Sequence, residues 1–392
     1  MIKPVHPFPA RMAPELALRA LGNLPKNSIV LDPMTGSGTV LRQAVEFGHT
    51  AIGYDVDPLA VLMSNVWSST VDSASVTAAL NEVLDTALQA SDSAVSLPWL
   101  DSDPETLTFV KFWFADRQSH DLRRLAYALD QVSAELSTET LNVLKLAISR
   151  IIVTKEQAAS LARDTSHSRP HRVTETNEYD VYSGFKKATL QILQRLNHSG
   201  FQGHARAGVG DARKLGAVAD KSIDAIITSP PYLNAIDYMR GHKLALVWLG
   251  YTIKSLREIR AGSIGAEKSI VEKFSSVELG EIMTGMGELH KLPAKNHGMI
   301  RRYVDDMCVT FSEVSRVLKS SGRATFVVGN SCLRGVYIKN SEAVRFAAIA
   351  ADLELIDSYE REIPEASRYL PVTGTQLAKR MRTETILTFQ AA

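Results

Sequence analysis

Cysteine is scarce in this 392-residue chain: only Cys308 and Cys332 occur. Two cysteines exclude a disulfide framework and any multi-cysteine zinc site. Neither sign of charge is in surplus. The formal net charge is +1, so no global basic field advertises nucleic acid, and any such contact has to come from local patches. Long apolar runs are missing as well. No stretch offers ~18 uninterrupted apolar residues, and MIKPVHPFPARMAPELAL has prolines where a signal peptide needs its apolar core. Neither an internal repeat nor a low-complexity tract is present. A composition of 45% hydrophobic and 22% charged residues excludes wholesale disorder. The length suggests two or three domain-sized units. A cytoplasmic protein with no membrane partner is the expectation.

What is present is an α/β pattern. SIVLD at 28–32 reads as a short buried strand, followed by PMTGSGT and the helical run VLRQAVEFG closed by Gly48. TAIGYDVDP reads as a second strand ending in acidic residues, and PLAVLMSNVW as a helix with Pro58 in its first turn. Strand, glycine turn, helix, strand is the opening of a parallel sheet. From about 73 to 200 the apolar spacing becomes helical, with no strand of the same sheet. The sheet pattern resumes with RAGVGDAR and SIDAIITSPPY. YVDDMCVTFSEVSRVLKSSGRATFVVGN reads as helix then strand, and LELIDSYER and TETILTF as closing strands. One α/β sheet interrupted by a helical insertion accounts for this order.

Three places can carry chemistry. LDPMTGSGT puts Asp32 at a strand end and Gly36 and Gly38 in the turn entering a helix. Glycine lets the backbone approach a ligand there, and the helix start offers free N–H groups. Asp55 closes the second strand, where a carboxylate can take both hydroxyls of a ribose. Together these point to an adenosine-containing cofactor without separating NAD from S-adenosylmethionine (SAM). TSPPY separates them. A rigid proline corner aims carbonyl oxygens into a cleft, and Tyr232 offers a flat face. An exocyclic amine donating to those acceptors has its lone pair freed for an electrophilic methyl group. A strand exit with a surface tyrosine would explain an isolated PPY, but not its place after the glycine loop, Asp55 and Asp211.

HPFPARMAP, DPMTGSGT, YDVD, GDAR and TSPPY together resemble the amino-methylating DNA methyltransferases, which act on cytosine N4 or adenine N6. The resemblance covers about 1–70, 206–240 and 303–390. It implies a Rossmann-like SAM methyltransferase sheet with helices on both faces. Residues 1–72, 201–238 and 303–392 would form the catalytic domain, 73–200 a helical insertion and 239–302 a candidate target-recognition segment. It implies that Asp32, Thr35, Gly36 and Gly38 hold the methionine moiety and Asp55 the ribose. Asp211 would bond the adenine amine, with Phe8 and Pro9 closing the pocket. Ser229, Pro230, Pro231 and Tyr232 would bind and activate a flipped base. Serine before the prolines is the form associated with cytosine-N4 enzymes. The chain departs from the family pattern between Asp55 and Asp211, which lie much further apart than the about 30 residues of a plain βα unit. The Asp211 assignment therefore requires the insertion to leave and re-enter the sheet cleanly.

Other features are open between function and packing. LARDTSHSRPHRV carries Arg163, Arg169 and Arg172, which suit phosphate contacts or a solvated connection equally. His167 and His171 lack the further ligands a zinc site needs. Residues 239–302 hold eleven Lys/Arg against six Asp/Glu, which fits a segment tracking a phosphate backbone or an exposed helical pair. Asn234 could line a base pocket, whereas Asp237 is expected to cap the next helix. GMG at 285–287 and LPAKNHG at 292–298 read as loops. SRYLPVTG at 367–374 reads as a DNA-near or plain hairpin loop. Trp67, Trp113 and Trp248 are expected in the core, and both cysteines buried. The expected partner is double-stranded DNA, with a cognate restriction or defence-system partner and a monomeric or homodimeric state. An adenine-N6 enzyme and an RNA base amino-methyltransferase are the alternatives. A nicotinamide dehydrogenase leaves TSPPY unexplained, and the intact motifs argue against a binding module that has lost catalysis.

Overall fold

A computed structural model describes residues 3–8, 11–154, 156–163, 171–196, 200–233, 237–265, 275–363 and 383–391. Pro9, Asn234, His167, Arg169 and SRYLPVTG lie outside the described residues. Strands β1 (Ile29–Asp32), β2 (Thr50–Asp55), β3 (His204–Val209), β4 (Ile223–Thr228), β5 (Leu318–Gly329), β6 (Leu353–Glu362) and β7 (Thr383–Ala391) form one sheet. Its order is β6-β7-β5-β4-β1-β2-β3. β7 runs antiparallel to both its neighbours, and the other pairs are parallel. The chain steps outward from β1 through β2 to β3, then returns to β4 on β1's other flank. That reversal leaves a crevice beyond the carboxyl ends of β1 and β4, where doubly wound sheets bind their ligands.

Each face of the sheet is covered. Helices α1 (Pro14–Leu21) and α2 (Thr39–Glu46) pack Leu16, Leu21, Val40 and Leu41 against Val30, Ile227 and Val327. On the opposite face Phe311 stacks on Phe326 at 4.5 Å and meets Phe389 edge-on at 5.7 Å. Each such buried ring contributes roughly 1.5–3 kcal/mol over an exposed one. The third helix, α3 (Pro58–Ser68), begins as its sequence requires. Pro58 occupies the first turn, and the Asp57 carboxylate accepts the Leu59 N–H at 2.9 Å.

The insertion is helical, as its periodicity demands: α4 (Ser73–Gln89), α5 (Pro104–Trp113), α6 (Asp116–Val132), α7 (Thr138–Ile152) and α8 (Val181–Leu196). Among its described residues, strand structure is confined to a two-residue ladder between Ala162–Arg163 and His171–Arg172, outside the main sheet. The insertion leaves after α3 and re-enters at β3, whose residues pair with β2 from Thr50↔His204 to Asp55↔Val209. The Asn65 side chain, on α3, secures the edge: it donates to the Ala207 carbonyl at 3.0 Å and accepts the Ala207 N–H at 2.8 Å.

The described residues of 239–302 fall into two groups. Helix α9 (Met239–Leu246) and helix α10 (Ile253–Ala261) join the core of the insertion, where Trp248 meets Phe114 edge-on at 5.0 Å. Helix α11 (Ser276–Gly285) and the residues after it pack instead with α12 (Ala294–Val317) and α13 (Asn340–Ile349). Two expectations are corrected here. Within LPAKNHG, residues 294–298 are helical and open α12 behind Pro293. Cys308 is buried, but Cys332 is half-buried in the short strand Ser331–Leu333. Trp67 and Trp248 are core residues, and Trp113 is partly buried against the same cluster. Among the described residues no helix is long and apolar enough to cross a membrane.

Candidate active site

The crevice between β1 and β4 brings the glycine loop and the proline corner together. Asp32 ends β1 and Thr228 ends β4, and the Thr228 hydroxyl donates to Asp32 Oδ1 at 2.7 Å. Asp32 also accepts the Met34 N–H at 3.2 Å. Burial pushes its carboxyl up to about 7; the Thr228 and Met34 bonds only partly offset this, and the nearby Asp55 adds to it. The two motifs, far apart in the chain, are hydrogen-bonded neighbours.

On the β2 side, Asp55 holds the loop open. Its carboxylate accepts the Gly36 N–H and the Asp57 N–H, each at 2.9 Å. Burial first, then the Asp57 charge, raises it to about 6. The Thr35 N–H donates to the Tyr54 carbonyl at 2.9 Å, and the Thr35 hydroxyl meets Ser64 at 3.2 Å. Gly38 has φ +87°, and a β-carbon there would stand 2.7 Å from the Ser64 Cα, so α3 packs where only glycine fits. Ser37 Oγ and Thr39 Oγ1 are buried without a hydrogen-bond partner among the described residues. A buried polar atom without a partner costs about 1–3 kcal/mol. A loop with two such hydroxyls, the buried carboxyl of Asp32 and the half-buried carboxyl of Asp55 fits a ligand carrying donors and acceptors, as SAM does.

The N-terminal segment closes this side. Phe8 lies against the loop, with its ring 3.4 Å from where a Gly36 β-carbon would stand. The ring also packs on Tyr238 at 4.9 Å and on His242 at 5.9 Å. His242 reaches Asp57 Oδ2 at 2.5 Å. Burial alone would raise the Asp57 carboxyl, but the charge and hydrogen bond of His242 outweigh it and hold the group below its ordinary value. The insertion anchors this segment: His6 bonds Ser149 at 3.0 Å, Arg150 donates to the Val5 carbonyl, and Arg195 donates to the Pro4 carbonyl at 2.5 Å. Burial drives the His6 ring down to about 3, so it is neutral at neutral pH.

Asp211 follows β3, beside the end of β2, where the Gly210 N–H bonds the Asp55 carbonyl at 3.0 Å. The clean re-entry that its assignment requires is therefore met. Its carboxylate is held by Arg213.

The proline corner is more elaborate than TSPPY alone suggests. Pro230 is buried, and Ser229, Pro231 and Tyr232 are half-buried. The Ser229 hydroxyl donates to the Val327 carbonyl at 3.0 Å. Tyr232 lies against Gly329 at the end of β5, where an added β-carbon would meet its ring at 2.5 Å. Burial first, then the charge of Glu384, raises its hydroxyl to about 12, which the polar neighbours Ser229 and Gly329 only partly offset. The tyrosine therefore stays neutral at physiological pH. With its O–H directed at the Val327 carbonyl, Ser229 Oγ has only acceptor positions left for its other neighbours. Ser331 Oγ donates to the Leu233 carbonyl at 2.6 Å. Asn340 donates to the Gly329 carbonyl at 3.0 Å and to Ser331 at 2.7 Å.

Gly329, Ser331, Asn340, Arg213 and His242 were not among the sequence candidates. The signal available for two of them was VVGNS, a glycine followed by small polar residues at the end of a buried strand. Asp237 does not cap α9; its carboxylate takes Arg240 at 2.9 Å and Arg260 at 2.5 Å, joining α9 to α10. Arg163 turns back onto the carbonyls of Ser160 and Ala162, at 3.4 and 3.1 Å. Arg172 is exposed, bonding the Thr174 carbonyl and lying over the Phe112 ring at 5.6 Å.

No protein-family model matches the chain. The chain is 23% identical over 365 residues to the Type II methyltransferase M.BsoBI of Geobacillus stearothermophilus, covering 78% of this chain and 69% of that one. It is 20% identical over 383 residues to the Type II methyltransferase M.MvaI of Kocuria varians, covering 92% and 83%. A TehB-like SAM-dependent methyltransferase from Corynebacterium glutamicum aligns over 97% of this chain and 87% of its own, with TM-score 0.31 and 10% identity. The chain is thus similar over most of its length to Type II methyltransferases, in keeping with the resemblance that its motifs carry.

Proposed function

We propose that the protein is a SAM-dependent DNA methyltransferase acting on an exocyclic base amine, with cytosine N4 as the target. The observation that carries this reading is the 2.7 Å bond between Thr228 of TSPPY and Asp32 of DPMTGSGT, which makes the proline corner and the glycine loop two walls of one crevice. Bound SAM supplies an electrophilic methyl group. Thr35, Gly36, Ser37 and Thr39 hold its methionine end, Asp55 its ribose and Asp211 its adenine amine, while Phe8 covers the loop. On the other wall a flipped base places its amine against Ser229 Oγ and the Pro230 carbonyl, with Tyr232 beside its ring. These acceptors draw on both N–H bonds and direct the nitrogen lone pair to the methyl group. An amine held in this way would take the methyl group directly, with S-adenosylhomocysteine leaving and one amine proton passing to solvent, so no enzyme nucleophile is required.

The serine in TSPPY favours cytosine N4 over adenine N6. Similarity to Type II methyltransferases favours DNA over RNA. In this reading residues 1–72, 201–238 and 303–392 form the catalytic domain and the insertion anchors its N-terminal segment. Residues 239–302 and Arg172 supply contacts to the duplex. Incubation with tritiated SAM and duplex DNA, then digestion to nucleosides, is expected to yield labelled N4-methylcytosine. Labelled N6-methyladenine would move the target to adenine. Label in RNA alone would overturn the DNA assignment.

A further inference from the structure

The GDAR motif holds a second residue whose geometry asks for a role. The Arg213 side chain is fully buried, whereas 22% of the Asp211 side chain remains exposed. Its guanidinium is held from three directions. Nε donates to Asp211 Oδ1 at 2.9 Å, Nη2 to Asp211 Oδ2 at 2.7 Å, and Nη1 to Asp306 Oδ1 at 2.6 Å. Nη2 also donates to the Gly262 carbonyl. Asp306, on α12, accepts the Gly265 N–H at 2.7 Å with its other oxygen. The planar fork therefore cannot rotate without breaking bonds to three separate elements.

The two oxygens of Asp211 are loaded unequally. A carboxylate offers about four acceptor positions, two on each oxygen. Oδ1 accepts both the Arg213 backbone N–H and Nε–H, each at 2.9 Å, and is saturated. Among the described residues, Oδ2 accepts only the Nη2–H. One acceptor position remains, on the oxygen of a side chain that still meets solvent. Two carboxylates facing one guanidinium also leave an excess of negative charge, which favours a further N–H donor.

We propose that Arg213, braced by Asp306, is a positioning residue that reserves Asp211 Oδ2 for the 6-amino group of the cofactor's adenine. The inference rests on the assignment of Asp211 to the cofactor. It adds that Arg213 and Asp306, by fixing the free position on Oδ2, set how strongly that amine is selected. Replacing the amine by a carbonyl would set two acceptors against each other, and an unsatisfied pair of this kind costs roughly tenfold or more in affinity.

The test is calorimetric binding of S-adenosylhomocysteine and of its 6-oxo analogue, S-inosylhomocysteine. The full-length protein is expected to prefer the adenosyl compound at least about tenfold. Arg213→Lys keeps the charge but loses the fork, and Asp306→Asn loosens the brace. Both are expected to bring the preference towards unity, with affinity for the inosyl compound changed by less than about threefold. Equal losses for both ligands in either folded variant would show a merely structural arginine and overturn the proposal. A preference near unity in the unaltered protein would overturn it without any variant. Failure of the unaltered protein to bind either compound would count against the methyltransferase reading itself.

Discussion

The two walls of the crevice are built in opposite ways. The wall proposed for the cofactor is local: β1, the glycine loop, α2, β2 and Asp55 lie within residues 29–55, and its main contacts are backbone amides on one carboxylate. The proline corner is assembled from distant parts. Tyr232 rests on Gly329, Ser229 on Val327, and Leu233 on Ser331, each tied across about a hundred residues of chain. A local wall can be specified by a short motif. A distributed wall depends on strand register, because a slip of one residue in β5 would turn Gly329 away from the tyrosine.

The comparison can be broken most sharply at Gly329. Gly329→Ala is expected to displace Tyr232 and reduce methyl transfer by about a hundredfold or more, since misplacement of about 1 Å carries that cost. Cofactor binding, followed by calorimetry, is expected to stay within about threefold. Loss of cofactor binding as well would mean that the two walls are not separable. Tyr232→Ala and Ser229→Ala are expected to behave in the same way.

The cofactor wall is expected to fail in the converse manner. Asp55→Ala should weaken SAM by about 2 kcal/mol, roughly thirtyfold, through the lost ribose contact. Turnover at saturating cofactor should change far less. A fall in turnover alone would exchange the roles of the two walls.

Acidity separates them further. Burial raises Asp32 to about 7 and Asp55 to about 6, whereas Tyr232, at about 12, does not titrate at physiological pH. Both carboxyls hold protons in the folded protein at pH values where the unfolded chain has lost them. The cofactor-free protein is therefore expected to lose stability as pH rises from about 4 to about 7, by up to about 7 kcal/mol, and then to level off. Because an ionised Asp55 is the better acceptor for ribose, SAM affinity should fall as pH drops through about 6, by up to about tenfold per unit. Denaturant midpoints and calorimetry across pH 4–8 check both trends. A cofactor affinity flat across this range would remove Asp55 from the binding site.

The smallest effect is expected outside the main sheet. Arg172→Ala should lower the salt dependence of duplex binding by about one phosphate contact. Arg163→Ala, whose donors already serve Ser160 and Ala162, should leave it unchanged. Equal slopes for both variants would remove the ladder of Ala162–Arg163 with His171–Arg172 from the duplex-binding surface.

The legibility of the fold followed the same divide. β1, β2, α2 and α3 were readable because apolar period, Gly48 and Pro58 all act within a turn or two of chain. The corner was readable only as TSPPY, since a proline pair announces a rigid exit but not what it rests on. The position of Asp237 before a helix suits a cap, yet Arg260 on α10 competes for the same carboxylate, and nothing local to Asp237 reveals that. In LPAKNHG, Pro293 reads equally as a loop residue or a helix start, and the structure takes the second course.

Composition and pattern alone determined the sheet class, the presence of a helical insertion, and the identity of the glycine loop and proline corner. Those features arise from short-range sterics and hydrogen bonding, which a single stretch of residues encodes. Tertiary structure decided that β3 returns beside β2, that Gly329 makes room for Tyr232, and that a buried Arg213 grips Asp211. Each of these depends on which distant backbones the packed core brings together, and no local pattern carries that information.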